Sequence, residues 1–310
     1  MTTATSDISS QLGASTPAVA PGVRARLAGL YELTKPRLNF LVIITTAVGC
    51  YLAAGAAGLL DRPWLFLNTL IGTALTAGGA GALNQFLERE YDALMPRTSR
   101  RPLPSGLLPA GVALGLGLGL GAAGTALLAL LVNPLTAGLG LFTLLSYVLI
   151  YTPLKRRTWL NTLVGAVPGA IPPMMGVAAF ENALTPTAWA LFGILFVWQM
   201  PHFFGLALLY RDDYARGGYA MLPACRNGVA RTARQAVVFL ALLVPAALMP
   251  TLVGAAGWWY AAASLALGVW FLNAGLAVWR SPGKAEARRL FLTSILYLPL
   301  LLIVMMLDKA

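Results

Sequence analysis

Cysteine and acidic residues are scarce in this chain of 310 residues, which holds two cysteines and eleven aspartates and glutamates. The cysteines, Cys50 in an apolar run and Cys225 in a loop, are too few and too far apart in sequence for a disulfide framework or a thiolate metal cluster. Both read as structural. Charge of either sign is also sparse, at 11% of residues against 58% hydrophobic. A mean hydropathy of +0.73 with repeated apolar runs of about 20 residues, enough to cross ~30 Å of hydrocarbon, marks a polytopic membrane protein. The net charge of +11 would suit nucleic acid only on a soluble basic face, and here the bases sit in short loops between apolar runs. No nucleic-acid partner is expected; the lipid bilayer is the surrounding partner. The first 23 residues lack a basic n-region, a long apolar h-region and any arginine before Arg24, which argues against a signal or transit peptide. The expectation is a disordered tail over 1–23, a single domain over 24–310, and a bacterial plasma membrane as its location.

What is present is a series of nine apolar windows, at about 38–57, 64–86, 109–131, 135–153, 159–180, 187–209, 232–254, 257–279 and 288–307. The fold class is therefore all-α integral membrane with nine transmembrane helices. Tight joins such as Asn133-Pro134 and the Gly-Ala-Ala-Gly run at 254–257 imply antiparallel neighbours, and AGGAGA at 77–82 and GLGLGLG at 115–121 suit close helix packing in lipid. With the N-terminus cytoplasmic, 20 of the 22 Lys and Arg fall in inner segments and only Arg62 and Lys309 fall outside. That asymmetry predicts N-in, C-out, and an odd number of spans.

Against this background the stretch NQFLEREYDALMPRTSRR carries seven charges in eighteen residues, 84 to 101, at the inner end of the second span. Asn84, Glu88 and Asp92 are spaced i, i+4, i+8, so a continuing helix stacks three oxygen-bearing side chains on one face. Hard cations such as Mg²⁺ take one or two carboxylates plus substrate phosphates, and Arg97, Arg100 and Arg101 just downstream supply donors suited to phosphate oxygens. Arg89 and Glu90 lie off that face and read as ordinary loop charges. A second acidic cluster ends the sixth span, with Asp212 and Asp213 flanked by Arg211 and Arg216. Five of the eleven acids lie in these two clusters, on the same predicted side, as two halves of one site would. A secondary transporter would want its acids nearer the bilayer midplane.

The segments LTKPRLNFL (33–41), NQFLEREYDALMPRTSRRPL (84–103), YTPLKRRTWLNTLVGAVPGAIPP (151–173) and WQMPHFFGLALLYRDDYARGGYAMLP (198–223) resemble the intramembrane prenyltransferases of the UbiA superfamily, and within it the protohaem IX farnesyltransferase branch. The resemblance implies a nine-helix bundle that transfers a farnesyl group from farnesyl diphosphate to a vinyl group of protohaem IX, with addition of water. The products are haem O and diphosphate, and haem A synthase is the downstream partner implied. It also implies Mg²⁺ held by Asn84, Glu88 and Asp92 and, from the second cluster, Asp213 with Asp212. That second cluster departs from the superfamily's two-Asp spacing. A related aromatic or chlorophyllide prenyltransferase is the neighbouring alternative. Leaving-group charge would be met by cations: Lys35, Arg37, Arg97, Arg101, Lys155, Arg156, Arg211 and Arg216 are the candidate diphosphate clamps, although any can equally serve topology. The single histidine, His202, nine residues before Arg211 and so ~13 Å deeper along a helix, is a candidate haem ligand, with a bond to a haem propionate or a neighbouring helix as the alternative. Pro168, Pro172 and Pro173 predict a kinked or locally opened fifth span, and Trp198, Trp258, Trp259 and Tyr260 an interfacial aromatic belt.

Overall fold

A computed structural model describes residues 22–310. Among them, nine helices are long and apolar enough to cross a bilayer: α2 (Pro36–Asp61), α3 (Pro63–Asp92), α4 (Ala110–Leu131), α5 (Pro134–Leu154), α6 (Asn161–Glu181), α7 (Pro186–Leu209), α9 (Gly228–Leu252), α10 (Trp258–Arg280) and α11 (Lys284–Leu307). Each coincides with one predicted span. Two further helices escaped the hydropathy pattern because they are not apolar throughout: α1 (Val23–Leu33), before the first span, and the short α8 (Arg211–Arg216) after α7. Residues 1–21 of the expected tail lie outside the described residues, and α1 begins at Val23.

Short joins make sequence neighbours pack side by side, and α6 additionally packs on α2, and α11 on α7. The predicted turns form as read. Asn133 caps α5 by accepting from the Thr136 N–H at 2.8 Å, and its Nδ2 donates to the Ala178 carbonyl at the end of α6. Gly254 turns the α9–α10 join at φ +76°, a left-handed conformation that glycine adopts at little cost. The main apolar core lies among α6, α7, α9, α10 and α11 and includes Val48 and Leu52 of α2. Around it, large apolar side chains such as Leu118, Leu130 and Leu149 remain exposed, as a lipid-facing surface requires.

The small-residue runs sit where two backbones meet. A Cβ on Gly79 of α3 would come within 2.6 Å of the Gly121 nitrogen of α4, and a Cβ on Gly124 within 2.6 Å of the Thr76 nitrogen. This contact holds α3 against α4 below the charged stretch. The prolines of α6 do not open it: Pro168, Pro172 and Pro173 are buried inside one uninterrupted helix, and Gly176 lets α6 approach Gly49 of α2. The room left by GAVPGAIPP goes to helix packing. The aromatic belt is smaller than predicted. Trp258 and Trp259 are more than four-fifths exposed, but Trp198 is buried and donates its indole N–H to the Ser294 carbonyl, and Tyr260 is buried with its hydroxyl on the Ala247 carbonyl. An aromatic whose polar atom finds an internal partner can leave the interface.

Candidate active site

Helix α3 runs six residues past the apolar window, so Asn84, Glu88 and Asp92 do fall on one helical face, and all three are at most 5% exposed. Burying two carboxylates is costly unless each is paired. Each polar group in the column has a cationic partner from a different part of the chain. Lys35 Nζ donates to Asn84 Oδ1, Lys155 Nζ meets Glu88 Oε1 at 2.8 Å, and Arg101 Nη1 meets Asp92 Oδ2 at 2.6 Å. Asn84 Nδ2 in turn donates to Thr152 Oγ1 at 2.9 Å, tying α3 to the end of α5.

Backbone irregularities aim these groups. Lys35 has a left-handed backbone, φ 52°, immediately before Pro36, a conformation unfavourable for a residue with a Cβ and for one preceding proline. That strain directs the lysine off the start of α2 and onto Asn84. In α5 the helix widens to a π-turn over Ser146–Tyr151, a departure frequent at functional sites. It brings Tyr147 and Tyr151 to a ring separation of 5.2 Å, with Lys35 Nζ 5.8 Å from the Tyr147 ring and Lys155 Nζ 4.7 Å from the Tyr151 ring. The two lysines respond differently to burial. Desolvation lowers the Lys35 pKa, with Tyr147 opposing it. Desolvation would lower that of Lys155 too, but Glu88 first and then Tyr151 and Tyr147 raise it well above the ordinary lysine value. Lys155 is thus held as the cationic partner of Glu88.

The second acidic segment reaches this cluster through its aromatics. The Lys155 carbonyl accepts from the Ala220 N–H at 2.8 Å, and Asn161 Nδ2 donates to the Ala220 carbonyl at 3.1 Å. These bonds hold Tyr219, 5% exposed, with its ring 5.9 Å from Lys155 Nζ, and burial raises its phenol pKa. Met95, Tyr219 and Met221 pack together with Tyr91 and Tyr214, while the Arg97 guanidinium lies 5.2 Å from the Tyr210 ring and 5.9 Å from that of Tyr214. The two predicted clusters therefore share one end of the bundle. Their carboxylates do not share a partner: Asp213 is paired with Arg216 and Asp212 is exposed. Of the predicted clamps, Lys35, Arg101 and Lys155 touch the column. Arg156 lies over the Tyr91 ring at 3.9 Å, and Arg37 and Arg211 are exposed without an ion pair among the described residues. Thr152 and Tyr219 are site residues that spacing did not reveal, since only the fold brings them to α3; both lie in motif segments.

Among the described residues no three His, Cys, Asp or Glu side chains close on one point. A Mg²⁺ site needs no such trio, because this ion takes one or two protein carboxylates and completes its shell with water and substrate phosphate. The donor set fits: the bonds present use Glu88 Oε1 and Asp92 Oδ2, so each carboxylate keeps one oxygen without a partner among the described residues, while the Asn84 amide oxygen accepts from Lys35.

His202 lies away from the column, at the α7–α11 contact. Its ring stacks on Trp198 at 5.2 Å and meets Phe291 at 5.0 Å, and its Nδ1 is 2.8 Å from Ser294 Oγ. The Ser294 hydroxyl has one proton and donates it to the Phe291 carbonyl. It must therefore accept from His202 Nδ1–H, which leaves the Nε2 lone pair free in the neutral ring.

Residues 42–298 match the UbiA prenyltransferase family. The chain belongs to that family. Curated relatives include a protein named protoheme IX farnesyltransferase from Solibacter usitatus, 47% identical over 288 residues that cover 90% of this chain and 97% of the relative. One of the same name from Myxococcus xanthus is 46% identical over 90% of this chain and 94% of its own. The fold recurs in a solved structure described as digeranylgeranylglyceryl phosphate synthase, with a TM-score of 0.72 at 16% identity over 91% of this chain and 98% of that one. It recurs again in a UbiA homologue from Archaeoglobus fulgidus bound to GPP and Mg²⁺, with a TM-score of 0.62 at 15% identity over 89% and 99%. The UbiA bundle expected from the motifs is thus the fold observed, and the chain is a multi-pass membrane prenyltransferase.

Proposed function

We propose that this UbiA prenyltransferase transfers the farnesyl group of farnesyl diphosphate to a vinyl group of protohaem IX and adds water, giving haem O and diphosphate. The observation that carries the choice of substrates is the likeness to proteins of that activity along nearly their whole length. The buried column and its three cations support the chemistry.

Transfer begins as the bond between farnesyl C1 and the diphosphate oxygen breaks. Lys35, Arg101 and Lys155 are placed to take up the negative charge that develops on the leaving group. Asn84, Glu88 and Asp92 would hold Mg²⁺, with Asp213 and Asp212 as the contribution of the second cluster; Mg²⁺, when bound, supplies further neutralisation of the diphosphate. The vinyl π-electrons then bond to C1, and the resulting cation beside the porphyrin is captured by water with loss of a proton. Premature capture of the allylic cation is resisted where apolar helix faces exclude water. His202, with Nδ1–H fixed by Ser294 and Nε2 free, is proposed as an axial ligand of the haem iron. The site is proposed to face the cytoplasm of a bacterial plasma membrane, with haem A synthase acting on the product. The test is incubation of the purified protein with protohaem IX, farnesyl diphosphate and Mg²⁺: the expected product by mass spectrometry is hydrated, farnesylated haem. An unreacted haem alongside a prenylated chlorophyllide or aromatic acid would overturn the reading.

A further inference from the structure

Helix α1 ends at Leu33, and two residues later Lys35 stands in the left-handed region that a helix end normally gives to glycine, with Pro36 next in line. Such a conformation persists only where its surroundings over-determine it. Side chains on the two following helices do so here. Gln85 Nε2 of α3 donates to the Glu32 and Leu33 carbonyls at 3.1 and 3.2 Å, and Asn39 Nδ2 of α2 donates to the Thr34 carbonyl at 2.8 Å. Carbonyls orphaned at the end of α1 are thereby met. Gly81, one turn earlier on α3, leaves them room: a Cβ there would lie 3.2 Å from the Thr34 oxygen and 3.3 Å from the Leu33 oxygen.

Gln85 is 2% exposed, and its Oε1 has no partner among the described residues. A buried amide left half unmet costs free energy that a leucine in its place would not, so packing alone does not account for it. Its two bonds grip the backbone two and three residues before Lys35, while Asn84, the preceding residue of α3, receives the Lys35 ammonium. One turn of α3 therefore fixes both the root and the tip of the Lys35 side chain. We propose that Gln85 is a positioning residue that, by holding the α1–α2 turn, keeps Lys35 Nζ at the diphosphate end of the column; this rests on the reading of Lys35 as a diphosphate cation given above. Gln85 acts through Lys35 and touches no substrate, and α1 belongs to the architecture of the site.

The test is a double-mutant cycle on the full-length protein in detergent, read by calorimetric titration with Mg²⁺ and inorganic pyrophosphate, so that neither a farnesyl chain nor a porphyrin enters the measurement. Lys35→Met is expected to raise the Kd for pyrophosphate roughly tenfold, the size of one lost charge-assisted bond. Gln85→Leu is expected to raise it by a similar factor when Lys35 is present and to add nothing in the Lys35→Met background. Asn39→Ala, which removes the other bond to the turn from a partly exposed position, is expected to show the same dependence on Lys35 with a smaller rise, and it carries the cycle should Gln85→Leu fail to fold. An effect of either substitution that is equal with and without Lys35 would overturn the proposal alone, leaving Lys35 as a diphosphate cation. Wild-type pyrophosphate affinity in Lys35→Met would overturn both. A wild type that shows this coupling but prenylates no haem would overturn the reaction and leave the role of Gln85 standing on the binding data.

Discussion

At the scale of single residues, the site depends on charge matched across long sequence distances. Glu88 and Lys155 are 67 positions apart, and Asn84 and Lys35 are 49 apart. Glu88→Gln keeps an oxygen that can accept from Lys155 but removes the charge that would hold a cation; Asp92→Asn does the same at Arg101. Each is expected to lower kcat at least a hundredfold, an order typical for one lost electrostatic stabiliser, while the protein still elutes as a folded species in detergent. Wild-type turnover in both variants would remove the column from the mechanism. His202 has its own signature. His202→Ala is expected to change the absorbance and electron paramagnetic resonance spectra of the bound ferric haem, and Ser294→Ala to produce a smaller shift by releasing Nδ1. Spectra unchanged in His202→Ala would exclude axial ligation. The column was legible in the sequence because its i, i+4, i+8 spacing is local. The partners Thr152, Tyr219 and Ser294 were not, because no periodicity encodes which distant side chain will lie opposite.

At the scale of helices, hydropathy located all nine spans because each must be apolar over a bilayer's thickness. It was silent on α1, whose Gly29 and Leu33 are buried, with Leu33 packed on Leu103 and Leu108, while most of its surface is exposed. Pro168, Pro172 and Pro173 do not end the helix in this setting: α6 continues through all three, packed against neighbouring helices. Glycine placement offers a sharp test of how α3 is held. Gly79 faces the α4 backbone, whereas Gly119 faces open space. Gly79→Ala should therefore force α3 from α4, destabilise the protein by ~1–3 kcal/mol, and reduce activity by shifting the column five residues further on. Gly119→Ala should leave both melting temperature and activity unchanged. Equal effects of the two substitutions would contradict the packing described.

At the scale of the whole molecule, one end of the bundle collects the column, its cations and the aromatic linkers from α5 and the α8 segment. Sequence asymmetry, with 20 of 22 basic residues in segments on that side, predicts that this end is cytoplasmic. The two native cysteines report on it without engineering, since Cys50 is buried and Cys225 is partly accessible near that end. A membrane-impermeant maleimide should label Cys225 in inverted vesicles and not in intact spheroplasts; the reverse pattern would invert the topology. The central claim is that paired charges on α3 serve the departure of diphosphate from a farnesyl chain that is then joined to haem. It is tested most directly by mass spectrometry of the porphyrin recovered after incubation with farnesyl diphosphate and Mg²⁺. The account predicts protohaem enlarged by one farnesyl group and one water in the wild type, lost with EDTA and in Glu88→Gln. Unmodified protohaem in the wild type, or a product formed equally well by Glu88→Gln, would contradict it.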